Sequence, residues 1–425
     1  MFTKDTFCIM PWSTILINPT GEFRICCFAG IDDDSIQGND HGICLDDNGN
    51  VMNIMTHSIQ DALNSRYHKE LRLAQSRNER HPVCKVCWDR DDVCASKNVP
   101  SNSLRQFRSF VQLPDMPNVI PIHVAESTMQ PDGSIKTIPI SLDLRFTNVC
   151  NMKCIMCNSR YSNQWYDDEI KLYGTTIERI IPKSEVPWHD SPIWWQKFDE
   201  IKHRVKHLYL TGGEPFVIKG HDVLLDNLID SGLAGDVILE YDTNLSVIND
   251  KILKRLSHFK QVIFSVSCDD VEDKYELIRS GGEFQRLLEN LEKIKQKNIG
   301  IRWLTTCTGI YSVFSPIRLF QYFAPRGYTN FSYRFLRAPW HSDLAKLPDH
   351  LKQKVIAVYQ NCILPKAAKD YYIGYLEKNM GVYSKEECEK SLQAHIDFLN
   401  KLDEIRGIDW KKTLPDVAEL LKEYL

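Results

Sequence analysis

Cys150-Asn151-Met152-Lys153-Cys154-Ile155-Met156-Cys157 sets three cysteines at C-x3-C-x2-C, directly after an apolar run that ends at Phe146. Three thiolates so spaced can hold three irons of a [4Fe–4S] cube and leave the fourth iron without a protein ligand. A coordination position left open takes up a small ligand, as an open zinc position takes water. The same spacing also puts three small apolar side chains on one helix face, because positions i, i+4 and i+7 align there. The surrounding sequence bears on which reading holds.

From Pro139 onward, strand-like and helix-like stretches alternate. The strand candidates are residues 140–146, 207–210, 237–241, 261–266, 301–306 and 331–336. Helix-like stretches between them include 220–230, 247–258, 284–297 and 314–323. Strands joined by helical crossovers predict an α/β fold, a parallel sheet curled into a partial (β/α)6 TIM-like barrel over 139–340. In such barrels chemistry sits at the C-terminal strand ends. The triplet follows the first strand, Gly212-Gly213-Glu214-Pro215 the second, Asp242-Thr243-Asn244 the third and Ser267-Cys268-Asp269 the fourth. The long connection 158–206 carries Trp165, Trp188, Trp194 and Trp195, read as packing residues that supply buried area. After Trp340 the composition is charged and helix-like, predicting a helical C-terminal extension over 341–425 with helices at 351–360, 385–402 and 414–425.

Working outward to the N-terminus, residues 1–100 are rich in cysteine. Residues 15–18 and 22–26 read as a hairpin turned by Asn18-Pro19-Thr20-Gly21, which would let Cys8 and Cys26 face a common site. Residues 58–76 read as one helix. Beyond Pro82, Cys84 and Cys87 form a C-x2-C knuckle whose sulfurs can point at one metal. Cys8, Cys26, Cys84 and Cys87 thus make a candidate four-thiolate site for an iron–sulfur cube or a structural zinc, which accepts the same ligands. Cys27, Cys44 and Cys94 are spare or alternative ligands. Residues 101–138, with Pro114, Pro117, Pro121 and Pro131, read as a surface connection poor in stable elements.

The bulk numbers agree with this plan. The chain has 425 residues, long enough for two or three domains, and a net charge of −4, which gives no general attraction to nucleic acid or anionic membrane. No apolar run approaches the ~20 residues a bilayer span needs, and the opening Met1-Phe2-Thr3-Lys4-Asp5 lacks the features of a signal peptide. A cytoplasmic location is expected. In that setting clustered cysteines among the 14 present read as metal or cluster ligands rather than disulfides.

The triplet, Gly212-Gly213-Glu214-Pro215, Thr243-Asn244 and Ser267-x-Asp269 together resemble the radical S-adenosylmethionine (SAM) superfamily over residues 139–340. The resemblance implies that Cys150, Cys154 and Cys157 hold a [4Fe–4S] cluster and that the amine and carboxylate of SAM complete its open iron. It implies SAM contacts from Gly212, Gly213, Glu214, Pro215, Thr243, Asn244, Ser267 and Asp269, with Arg279 pairing with the SAM carboxylate. Gly212 and Gly213 would let backbone approach the ligand, and Glu214 would accept from its amino group. Met156 stands where the family commonly has an aromatic near adenine. An electron from the cluster would cleave SAM to methionine and a 5′-deoxyadenosyl radical, which takes a hydrogen atom from the substrate.

The segment with Cys8, Cys26, Cys84 and Cys87 is similar to the twitch or SPASM domains of that superfamily. This implies one auxiliary [4Fe–4S] cluster that accepts an electron from a substrate radical or anchors the substrate. Such domains usually follow the barrel, whereas here the segment precedes it. The expected partners are a peptide, protein or small polar substrate and a reductant such as flavodoxin or ferredoxin. The alternatives are a modifier of a sugar or aminocyclitol, and a non-catalytic Fe–S or zinc protein.

Overall fold

The computed structural model describes residues 2–30, 42–96, 103–110, 127–136, 141–175, 187–297 and 299–425. Much of the proline-rich connection, residues 97–102, 111–126 and 137–140, lies outside the described residues. The strands are β1 (Thr14–Ile17), β2 (Phe23–Arg24), β3 (Ser141–Leu144), β4 (His207–Leu210), β5 (Ile238–Thr243), β6 (Gln261–Ser267), β7 (Gly300–Thr308) and β8 (Phe331–Phe335). They form an eight-stranded sheet in the order β2-β1-β3-β4-β5-β6-β7-β8. β2 pairs antiparallel with β1, whereas β1–β3, β3–β4, β4–β5 and β7–β8 pair parallel. A mostly parallel α/β sheet with a helical C-terminal part matches the expected partial-barrel class. The N-terminal hairpin does more than gather cysteines, since its first strand joins the main sheet beside β3.

The chain divides into two compact units, and the division falls inside β5 and β6. The first comprises Met1–Asn148, Ile180–Tyr241 and Asp250–Ile263. Along β3, β4 and β5 alternate positions share one sheet face, and on that face Leu142, Leu144, Leu208, Leu210 and Leu239 are all buried. Asp143, Tyr209 and Glu240 are register neighbours across β3, β4 and β5. The two buried carboxylates of that row need partners. Arg145 pairs with Asp143, and Arg108 grips both oxygens of Glu240 at 2.8 and 3.0 Å. Arg108 belongs to a helix, Leu104–Phe110, within the stretch read as a surface connection poor in elements. Buried arginine pairs, Arg105 with Asp91 and Arg108 with Glu240, hold this helix in place. The single helix read over 58–76 is in fact two, Ile59–Leu63 and Arg66–Ser76. The Asn64 side chain between them is taken up by Ile135 and Arg72. Trp188 and Trp194 pack edge-to-face at 5.0 Å, as the packing reading requires.

The second unit comprises Val149–Arg179, Asp242–Asn249 and Phe264–Leu425. Its core joins Ile155, Trp165, Ile278, Ile310 and Tyr311 to the C-terminal helices through Leu351, Tyr372, Leu392, Leu399 and Trp410. Those helices are Asp349–Asn361, Lys366–Lys378, Lys385–Arg406 and Pro415–Leu420, with short helical turns around them. The longest starts at a Ser384/Glu387 capping box and stops at Gly407, whose φ of +66° suits glycine. No helix among the described residues is long and apolar enough to cross a membrane.

Candidate functional site

The cysteine loop is held in the second unit by main-chain bonds. Lys153 N–H donates to Ser280 O and Ile155 N–H to Ile278 O, each at 2.8 Å. A Cβ on Gly281 would stand 3.0 Å from Asn151 O at a φ of +94°, so glycine allows this close approach. Cys150 N–H donates to Asn163 Oδ1 at 3.0 Å, Ser162 Oγ to Met152 O at 2.6 Å and Trp165 Nε1 to Cys154 O at 2.9 Å. The helix Lys385–Arg406 reaches the same place: Arg406 pairs with Asp168 at 2.8 Å, and its guanidinium lies over the Trp165 ring. Lys153 takes the other Asp168 oxygen at 2.9 Å.

The structure brings the three sulfurs into one electrostatic neighbourhood. The Cys157 thiol donates to Cys154, which lowers the Cys154 pKa against burial, and Arg279 assists. Cys157 is pushed up by that bond, by burial and by the charges of Cys154 and Cys150. Arg279 Nη1 lies 3.8 Å from Cys154 Sγ and Nη2 lies 2.7 Å from Asp269 Oδ2. Asp269 is wholly buried and also accepts from Cys307 N–H at 2.7 Å. Arg279 Nε and the hydroxyls of Tyr275 and Tyr311 are buried without a hydrogen-bond partner. Both tyrosines feel the charge of Cys154. Three gathered thiols, a fixed guanidinium and unsatisfied donors nearby suit an anionic sulfur-ligated group.

The other expected SAM contacts divide. Asn244, Asn151 and Ser246 close a ring of side chains: Asn244 Nδ2 to Asn151 Oδ1 at 3.0 Å, Asn151 Nδ2 to Ser246 Oγ at 2.8 Å and Ser246 Oγ to Asn244 Oδ1 at 2.6 Å. Asn244 therefore helps hold the cysteine loop. Thr243 Oγ1 accepts from Leu245 N–H at 2.9 Å, supporting a residue at φ +54°. Ser267 ends β6, and Met156 packs on the C-terminal core. In the first unit Gly212 and Gly213 have φ of +83° and +53°. A Cβ on Gly212 would meet Arg145 Cβ at 3.0 Å. Glu214 is buried and caps the turn Pro215–Val217.

Also in the first unit, Cys8, Cys26, Cys84 and Cys87 line one pocket with Met10, Phe28, Ala29 and Arg105. The hairpin brings Cys26 there as expected, whereas the knuckle is helical. Cys84 ends a short turn, Pro82–Cys84, and Cys87 lies in the first turn of the helix Lys85–Ser96. A helix N-terminus favours negative charge. Burial pushes the Cys8 thiol up to about 12, with the nearby Cys87 adding to it, and raises Cys26, Cys84 and Cys87 as well. Four such thiols suit a cationic core that would exchange for their protons. Cys44 faces His68 at 3.7 Å and is not among the lining residues. No three His, Cys, Asp or Glu side chains among the described residues converge as they would on one metal ion.

Residues 144–313 match the model of the radical SAM superfamily, and residues 8–88 match that of SPASM, an iron-sulfur cluster-binding domain. The matches mark a radical SAM domain, which implies a [4Fe–4S] cluster and SAM, and a SPASM domain, which implies auxiliary iron–sulfur. The sporulation killing factor maturation protein SkfB of Bacillus subtilis is 26% identical over 190 residues, 43% of this chain and 37% of that protein. A GTP 3′,8-cyclase of Clostridium perfringens is 24% identical over 162 residues, 38% of this chain and 44% of the cyclase. The chain thus spans less than half the length of these curated relatives. Among solved structures, native anSMEcpe with bound AdoMet and Cp18Cys peptide has a TM-score of 0.36 at 14% identity, covering 55% of this chain and 61% of that one. Streptococcus suis SuiB bound to precursor peptide SuiA has a TM-score of 0.36 at 13% identity, covering 74% and 67%.

Proposed function

We propose that this protein is a radical SAM enzyme that removes a hydrogen atom from a peptide or protein substrate and oxidises it with the help of an auxiliary cluster. The observation that carries the reading is the loop with Cys150, Cys154 and Cys157, whose carbonyls, amides and one sulfur are held by Trp165, Ser280, Ile278 and Arg279. These three cysteines are the proposed ligands of the SAM-binding cluster, and Cys8, Cys26, Cys84 and Cys87 those of the auxiliary one. Bound together, the cluster and SAM supply the one-electron chemistry that generates a 5′-deoxyadenosyl radical.

The chain's own residues orient and neutralise. Arg279 directs positive charge at Cys154, and Asp269 keeps that guanidinium from turning away. Trp165 and Phe398 stack at 6.4 Å and, with the surrounding apolar core, exclude water behind the loop. Gly212, Gly213, Glu214, Pro215, Thr243 and Ser267 are proposed SAM contacts, with Asn244 and Asp269 acting through Asn151 and Arg279.

The relative named for maturing a killing factor supports a peptide or protein substrate. The cyclase named for GTP keeps a small polar substrate as the second reading. Deuterium transfer separates them. Deuterated candidate peptides are incubated with anaerobically reconstituted, reduced protein and SAM. Label in 5′-deoxyadenosine is the expected result. Label arriving only from sugars, aminocyclitols or nucleotides would replace the peptide reading.

A further inference from the structure

The helix Leu104–Phe110 lies outside both matched segments, yet among the described residues it supplies the one arginine lining the four-cysteine pocket. The Arg105 side chain is 4% exposed. Nε donates to Asp91 at 2.9 Å, and Nη2 pairs with the same oxygen. Nη1 donates to Lys4 O at 2.8 Å and Phe7 O at 2.9 Å. The guanidinium also lies over the Trp88 ring at 4.8 Å. The Arg105 main-chain N–H is hydrogen-bonded to the Cys87 sulfur. A guanidinium held this firmly cannot swing toward water, so its charge acts on whatever the cysteines bind.

Burying a charge is costly unless something nearby offsets it. Asp91 offsets part of the cost, and the cysteines account for why a pocket lined by four thiols should hold a cation. Four thiolates would carry more negative charge than the core of irons and sulfides cancels, and reduction adds one further negative charge. A fixed positive charge in contact with them stabilises the reduced form more than the oxidised form.

We propose that Arg105 sets the reduction potential of the auxiliary cluster, with Asp91 as its positioning partner and partial counter-charge. The half-reaction is the gain of one electron by the oxidised cluster, with no bond made or broken. This rests on the auxiliary-cluster reading above. Arg105 raises the potential and so makes the cluster a better acceptor for an electron leaving a substrate radical; Asp91 lowers it.

The test uses the anaerobically reconstituted full chain, comparing Arg105→Gln, Arg105→Lys and Asp91→Asn. Iron is counted, and the EPR signal abolished by Cys84→Ala with Cys87→Ala is followed in a redox titration. Arg105→Gln is expected to lower the equilibrium constant for reduction at least about tenfold, which is about 59 mV for one electron. Arg105→Lys, which keeps the charge, should stay within tenfold of wild type, and Asp91→Asn should move the potential upward. Full iron with an unmoved potential in Arg105→Gln or Asp91→Asn overturns the proposal. Loss of the auxiliary iron in all three variants overturns it in favour of a purely structural role. Wild-type protein that holds one cube only would instead refute the auxiliary-cluster reading itself.

Discussion

Arg108→Met tests how the helix Leu104–Phe110 is fastened to the sheet. Arg108 makes a two-pronged pair with Glu240, and the two side chains are 14% and 3% exposed. His207 Nε2 lies 2.9 Å from the same carboxylate, and its Nδ1 lies 2.8 Å from Ser141 Oγ. Burial opposes the Arg108 charge, but Glu240 outweighs it and holds the guanidinium charged. Two charges about 4 Å apart attract by about 4 kcal/mol at an effective dielectric of about 20. Methionine fills the space but removes the guanidinium that grips both oxygens of the buried Glu240, and breaking a buried pair in this way costs about 3–5 kcal/mol. At about 2–4 °C per kcal/mol for a unit of this size, the midpoint should fall by roughly 6–20 °C. Thermal unfolding of the iron-loaded protein, followed by near-UV circular dichroism, measures it. Arg108→Met with Glu240→Gln removes both charges and should recover most of the loss. A single variant within about 1 kcal/mol of wild type, or a double variant as unstable as the single, would refute the account of a buried, mutually dependent pair.

Cys84→Ala with Cys87→Ala should lower bound iron by about one cube while SAM cleavage persists; an unchanged iron count removes those two residues from the ligand set. A pH series on the second unit should find stability falling below about pH 6.5. Burial lowers His341 to about 4 from an ordinary value near 6.5, so between those limits the unfolded chain binds the proton that the folded chain refuses. Stability present above pH 6.5 is lost as the pH falls toward 4, by about 3 kcal/mol for this group. His395, 5.8 Å away and lowered by burial, acts in the same direction. Urea midpoints that stay flat across the window in wild type, or that fall equally in His341→Gln, count against it.

The elements that could be read from the chain are those whose signals are local. The strand at 207–210 falls where its apolar run predicts, because flanking polar residues bound it on both sides. The turn at Asn18-Pro19-Thr20-Gly21 brings Cys26 to the pocket of Cys8 for the same reason. Long-range partners were not legible. Nothing near Thr14 announces that β1 pairs with Ser141–Leu144, a strand far along the chain. The helix at Lys366–Lys378 is hidden by Tyr371, Tyr372, Gly374 and Tyr375, which as single residues favour strands or breaks, yet Tyr372 and Leu376 point into one buried core. Arg105 lay in a proline-rich stretch, and no spacing rule links it to cysteines elsewhere in the chain. Asn244 was legible as a candidate site position, but its bond to Asn151 depends on the loop packing.

The central claim is that the loop of Cys150, Cys154 and Cys157 supports reductive cleavage of SAM, and one measurement bears on it directly. Anaerobically reconstituted wild type and Cys154→Ala are reduced with dithionite in the presence of SAM, and 5′-deoxyadenosine is quantified by mass spectrometry against bound iron. Wild type should form 5′-deoxyadenosine, and the variant should form none while it keeps the auxiliary iron. Intact SAM in a fully iron-loaded wild type, or undiminished cleavage by Cys154→Ala, would contradict the account.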